Sequence, residues 1–139
     1  MSALDDLLRD FADDVPEYLS SAIVDMESGM GVASYSPDPD FDASAANAAY
    51  TDFVQANRDA LKTLGADPYD TTDILVTTNG MYLIIRELGE TYYLGTAISQ
   101  EGNLALVRKQ LEQYVPKILE ELPGVETEST SISSNGSSR

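Results

Sequence analysis

The segment 71–98 constrains the fold more than any other stretch of this chain. Thr71-Thr72-Asp73-Ile74-Leu75-Val76-Thr77-Thr78 reads as a strand, and Asn79-Gly80 follows it. That dipeptide signals a hairpin because both residues tolerate positive φ, which a two-residue type I′ turn requires. Met81 to Glu87 forms the next strand, Leu88-Gly89-Glu90 turns the chain, and Thr91 to Ile98 returns. In an antiparallel sheet with one wet face, apolar and polar residues alternate. Here Ile74-Leu75-Val76 and Leu83-Ile84-Ile85 are apolar on both faces. The meander therefore needs cover on both sides, and the rest of the chain must supply it.

Three helical patterns can do so. Leu4, Leu7, Leu8, Phe11 and Val15 recur at helical spacing between acidic residues. Ser2 is a candidate N-cap with Asp5 completing the box, and Pro16 disfavours helix at Val15. The longest pattern covers 43–64, capped by Asp42 and stopped by Gly65. Its predicted stripe is Ala46, Tyr50, Phe53, Asn57, Ala60, Leu61 and Leu64, and its first turns are rich in small residues that let another backbone come close. The third helix is expected over 103–122 with Asn103 as cap and a kink at Pro116. Between the first two helices, 18–26 and 30–36 read as a hairpin turned at Glu27-Ser28-Gly29. The tail from Pro123 to Arg139 has too little apolar content to fold and is expected to be disordered, leaving one domain over 1–122.

Charge narrows the class of partner. The 139 residues include 24 acidic and 8 basic side chains, a formal net charge of −16. Residues 1–70 hold 15 acidic and 3 basic residues, so most of the excess lies in the first half. Such a surface disfavours phosphate backbones and anionic membranes, so neither nucleic acid nor a membrane is an expected partner. No apolar run approaches the roughly 20 residues that span a bilayer. The acidic start Met1-Ser2-Ala3-Leu4-Asp5-Asp6 is unlike a secretion signal, and a cytoplasmic location is expected.

Chemistry is hard to find. The chain has no Cys and no His, which removes thiolate nucleophiles, imidazole bases and the metal sites built on either. Asp38, Asp40 and Asp42 mimic the start of a calcium loop, but Ala43 and Ala49 stand where that loop needs Gly and Glu. Gly29-Met30-Gly31 sits inside a hairpin, so it cannot place a phosphate at a helix N-terminus. No phosphate-binding Gly-Lys-Ser/Thr pattern and no nucleophile elbow occurs. A pair of carboxylates suited to glycoside hydrolysis stays open among so many Asp residues, although they cluster on polar faces and loops. No catalytic residue, cofactor or metal is assigned.

The order helix, two strands, long helix, three strands, helix carries a resemblance. Together with the Ala-Ile-Val-Asp hairpin, the Ala-rich helix, the Val-Thr-Thr-Asn-Gly-Met-Tyr-Leu-Ile meander and Gly102-Asn103-Leu104-Ala105-Leu106-Val107-Arg108, it resembles the Roadblock/dynein light-chain family over about residues 3–122. Ala105, where relatives often have Gly, and Pro116 depart from the pattern. The resemblance implies an α+β fold with a five-stranded antiparallel sheet in the order 2-1-5-4-3. The first and last helices would cover one face and the long helix the other.

It also implies dimerisation, with itself or a relative, by joining two third strands and setting the long helices side by side. Ile74, Leu75 and Val76 would then lie on the joined edge, and Ala46, Ala49, Tyr50 and Phe53 on the helix that meets its counterpart. Burial of those four against the sheet is the competing reading. In function the resemblance implies a non-enzymatic regulator or scaffold of a small Ras-like GTPase, of the type that stimulates GTP hydrolysis in gliding bacteria. Alternatives are a structural dimerisation scaffold of a larger complex and a small-ligand sensor.

Overall fold

A computed structural model describes residues 2–125. The elements are α1 (Ala3–Asp13), β1 (Tyr18–Asp25), β2 (Gly31–Tyr35), α2 (Ala43–Thr63), β3 (Ile74–Thr77), β4 (Met81–Leu88), β5 (Tyr92–Ser99) and α3 (Leu104–Glu121). The strands form one antiparallel sheet in the order β2-β1-β5-β4-β3, as the resemblance implies. Most of the tail expected over 123–139 lies outside the described residues. Where it begins, Tyr92 donates its hydroxyl to the Pro123 carbonyl at 2.9 Å, and Val125 packs on the core. Among the described residues, no helix is long and apolar enough to cross a membrane.

The helix ends follow from side-chain chemistry. Ser2 and Asp5 form the reciprocal capping box of α1, Asp42 accepts from Ala45, and Asn103 accepts from Leu106. Gly65 takes φ of 76° after α2. Its N–H reaches the Lys62 carbonyl and that of Ala66 reaches Leu61, the paired bonds of a Schellman stop. Pro116 does not interrupt α3, which runs through it to Glu121. Its position is exposed, so water can solvate the carbonyl that the missing N–H leaves free.

The sheet is covered on both faces. On one side α1 and α3 bring Leu8, Phe11, Leu111 and Ile118 onto Ile23, Ile84, Leu94 and Ile98. On the other, α2 brings Tyr50 and Val54 onto Ala22, Val24, Ile85 and Tyr93. Each such side chain, fully buried, contributes about 1.5–3 kcal/mol. Tyr92 and Tyr93 are both buried, and Tyr82, opposite Ile98 at the other end of β5, packs partly buried against the core.

Two expectations are corrected. Asn79-Gly80 does join β3 to β4, but neither residue has positive φ. Thr78 closes the turn instead: its N–H and hydroxyl both donate to the Met81 carbonyl, and its Oγ1 accepts from the N–H groups of Gly80 and Met81. The buried stripe of α2 is Asn47, Tyr50, Val54 and Arg58. Phe53 and Leu64, assigned to the stripe by sequence, are exposed.

Arg58 shows why a charged residue occupies that stripe. Its Nη2 lies 2.7 Å from Glu87 Oε1 on β4, with both side chains almost fully buried. The guanidinium also donates to the Glu90 carbonyl and stacks 4.8 Å over the Tyr69 ring. Removing one partner of a buried pair strands the other charge. Arg58→Ala is therefore expected to cost about 3–5 kcal/mol in denaturant unfolding, while Arg58→Met with Glu87→Leu stays near the parent. Equal losses in the single and double variants would contradict this coupling.

A second prediction concerns alkali. Tyr114 donates to Asp14 at 2.6 Å, and that bond, then burial, pushes its pKa up to about 12. Burial pushes Tyr50 up to about 12 as well. The folded state holds these protons after the unfolded chain has released them, so stability is full below pH 10 and falls towards pH 12. Tyr114→Phe should cost about 1–2 kcal/mol at neutral pH. That deficit should shrink across the alkaline range, and a pH-independent deficit would refute the assignment.

Candidate functional site

The site is a surface, the β3 edge together with the groove beside it. Among the described residues, β3 pairs with β4 on one side and with no strand on the other. The register sets Ile74 opposite Ile85, Leu75 opposite Ile84 and Val76 opposite Leu83. Ile74 and Val76 therefore share the α2 side with Ile85 and Leu83, and Leu75 belongs to the α1/α3 side. Ile74 and Val76 are partly buried, but Leu75 stands 40% exposed. The expectation that Ile74-Leu75-Val76 is covered on both faces thus fails at Leu75. The edge strand lies at the limit of what α3 covers.

Asp73, directly before β3, is held by two arginines. Arg86 Nε donates to its Oδ1 at 2.9 Å, and Arg108 Nε of α3 donates to its Oδ2 at 3.1 Å. This pairing fixes the start of the strand and neutralises the charge nearest the edge. From Ile74 to Thr77 the edge carries no charged side chain.

On the α2 side lies an open groove of about 400 Å³ between the first half of α2 and the sheet. Its walls include Ala46, Ala49, Tyr50 and Phe53 of α2, Leu19 of β1 and Met81 of β4. The alanines explain it: their short side chains cannot fill the space between helix and sheet. The four α2 residues singled out by sequence therefore do come together, but in different roles. Tyr50 is buried against its own sheet. A Cβ on Gly95 would sit 2.8 Å from its ring, so glycine is needed for that approach. Ala46 is partly buried, whereas Ala49 and Phe53 are exposed. Leu19, Phe53 and Met81 add large apolar side chains to the open surface.

The sequence reading missed Asn47, Val54 and Arg58. They recur at helical spacing with Tyr50, and the signal was there, but two of the positions are polar and an apolar stripe passes them over. Burial raises Tyr50 to about 12 and also raises Tyr93, on which its ring packs. Asp38, Asp40 and Asp42 are engaged in backbone turns and the α2 cap. Among the described residues, no group of three or more Asp or Glu is arranged to hold a metal ion.

No family model and no curated protein matches this sequence. Solved structures do match its fold. A Roadblock/LC7 domain from Streptomyces avermitilis superposes with a TM-score of 0.75 at 21% identity, over 84% of this chain and 95% of that one. Myxococcus xanthus MglB gives 0.76 at 17% identity, over 88% and 98%. MglC from the same organism gives 0.62 at 21% identity, over 87% and 100%. The strand order, the two helical layers and nearly the full length of these chains are shared, and on that ground the protein has the Roadblock/LC7 fold.

Proposed function

We propose that this chain is a non-enzymatic regulator or scaffold that dimerises through β3 and α2 and, as a dimer, binds a small Ras-like GTPase. The observation that carries the proposal is the β3 edge. Among the described residues it is unpaired, it carries no charge and exposes Leu75, and the adjoining β4 gives Met81 and Leu83 to a largely apolar groove that Asp38 also lines. Such an edge is a template for pairing with another strand, and monomeric proteins blunt it with charge, Pro or cover. Joining two copies would continue the sheet and bring Phe53 and Ala49 of each α2 towards the other.

The GTPase part rests on the fold shared with the gliding protein MglB and on the family resemblance. Regulation of this kind works by binding one arrangement of the GTPase switch loops better than another, so it requires no catalytic group from this chain. Stimulated GTP hydrolysis is the finer form of the reading. The protein would act in the cytoplasm, where such GTPases are found.

Sedimentation should give a dimer at micromolar concentration. Leu75→Glu or Phe53→Glu should weaken it by roughly 2 kcal/mol, about 30-fold in Kd, because each puts charge into the joined surface. A monomeric parent, or variants that associate like the parent, would sink the dimer. Pull-down with a small Ras-like GTPase, loaded with GDP or a GTP analogue, tests the second part. Retention in one nucleotide state and faster single-turnover hydrolysis are expected, and absence of binding in both states overturns it. The groove favours one other reading, a small apolar ligand. A metabolite that raises the melting temperature in the Leu75→Glu monomer as in the parent would support that reading instead.

A further inference from the structure

The sheet has a second free edge, and it is built differently from β3. Among the described residues, the outer side of β2 pairs with no strand. There α1 lies over one face of the sheet and α2 over the other. Between them they leave a cleft of about 350 Å³, floored by the β2 residues 31–34 and walled by Asp5, Ser44 and Asn47. A Cβ on Gly31 would sit 2.6 Å from Asn47 Nδ2, so glycine is what lets α2 stand this close. Asn47 is buried, and its Oδ1 has no hydrogen-bond partner among the described residues.

None of the usual edge protections is present as charge or proline. β2 reads Gly-Val-Ala-Ser-Tyr. Its ladder to β1 slips once, with Val24 opposite Gly31 and Ile23 opposite Ala33, so Val32 has no partner of its own. Met30 and Val32 stand 69% and 39% exposed. Around this apolar edge acidic side chains predominate. Asp5 and Asp6 begin α1, Asp25 and Glu27 flank the hairpin turn, and Asp38 and Asp40 follow the strand. Over residues 1–57, Arg9 is the only basic side chain, and its guanidinium lies 5.8 Å over the Tyr35 ring.

We infer that the β2 edge is a docking site for an extended, lysine- or arginine-rich segment of a partner protein. The segment adds as a further strand, its backbone pairing with β2 and its basic side chains set over the acidic rim. The same rim decides against a second copy of this chain at this edge, because two acidic rims would face each other. Self-association and partner capture therefore use opposite edges of one sheet.

The probe is a short peptide of alternating lysine and valine, titrated against the full chain by NMR. Saturable binding is expected, with shifts at Gly31–Ser34, weakening as salt rises. Methylating alternate backbone nitrogens of the peptide should weaken binding about tenfold, since it removes strand hydrogen bonds and keeps the charge. Val32→Lys should weaken it by about the same factor while the particle mass stays that of the parent. Leu75→Lys at the other edge should leave peptide binding unchanged. No saturable binding up to about 1 mM, equal binding of the methylated peptide, or loss through Leu75→Lys alone would each overturn the assignment.

Discussion

The central strand β5 is buried at every position from Tyr92 to Ile98, and no arrangement that covers one side of a sheet can satisfy it. The requirement propagates outward. Leu94 and Ile98 take α1 and α3, while Tyr93 takes α2. Gly95 lets the Tyr50 ring lie directly on the strand, and the two tyrosine rings meet edge to face at 6.4 Å. The Tyr93 hydroxyl, carried into the α2 layer, donates to the Asn47 carbonyl and shares a bond with Thr51. On the opposite face the one buried polar pair, Ser21 with Thr96, satisfies itself across β1 and β5. Burial on both faces thus selects the layers, and hydrogen bonding fixes how α2 sits in its layer.

Features set by local chemistry were legible in the sequence. Caps, turns and strand limits depend on local chemistry, and Ser2, Asp42, Gly65 and Asn103 all occupy the roles their residue types suggest. The need for two-sided cover was visible in Leu83-Ile84-Ile85. The rotation of α2 was not. Its first turns are nearly all Ala, which marks no face, and further along the helix one buried position is Arg58. Glu87, twenty-nine residues away on β4, supplies the charge that makes an arginine acceptable there. Pairings of that range carry no local signature. The turn at Asn79-Gly80 shows the converse limit: the hairpin was legible, but the Thr78 side chain closes it without the positive φ expected of the dipeptide.

The candidate site follows from the same constraint carried to the margins of the sheet. A strand buried on both faces forces helices onto both, but three helices have a finite width and the outer strands extend beyond them. Leu75 is exposed because it lies at that limit. The alanines of α2 leave a groove because the helix approaches the sheet with nothing large to insert. The exposed apolar surface of β3 is thus a consequence of how the core was closed, and an edge left in this state is one that a second chain can complete.

Charge then separates the two edges that the fold leaves open. Asp73 stands beside β3, but Arg86 and Arg108 neutralise it, so close approach of an identical edge meets no repulsion there. Among the described residues, the carboxylates that flank β2 form no ion pair. Arg9 is the only nearby cation, and Asp38 and Asp42 are turned to their own backbone. A net charge of −16 spread evenly would oppose association everywhere. Concentrated in the first seventy residues, it crowds the flanks of β2, while the strand Ile74–Thr77 itself carries none of it. The same carboxylates that keep a second copy from β2 would draw a basic partner to it, so one asymmetry in sequence gives one sheet two distinct surfaces.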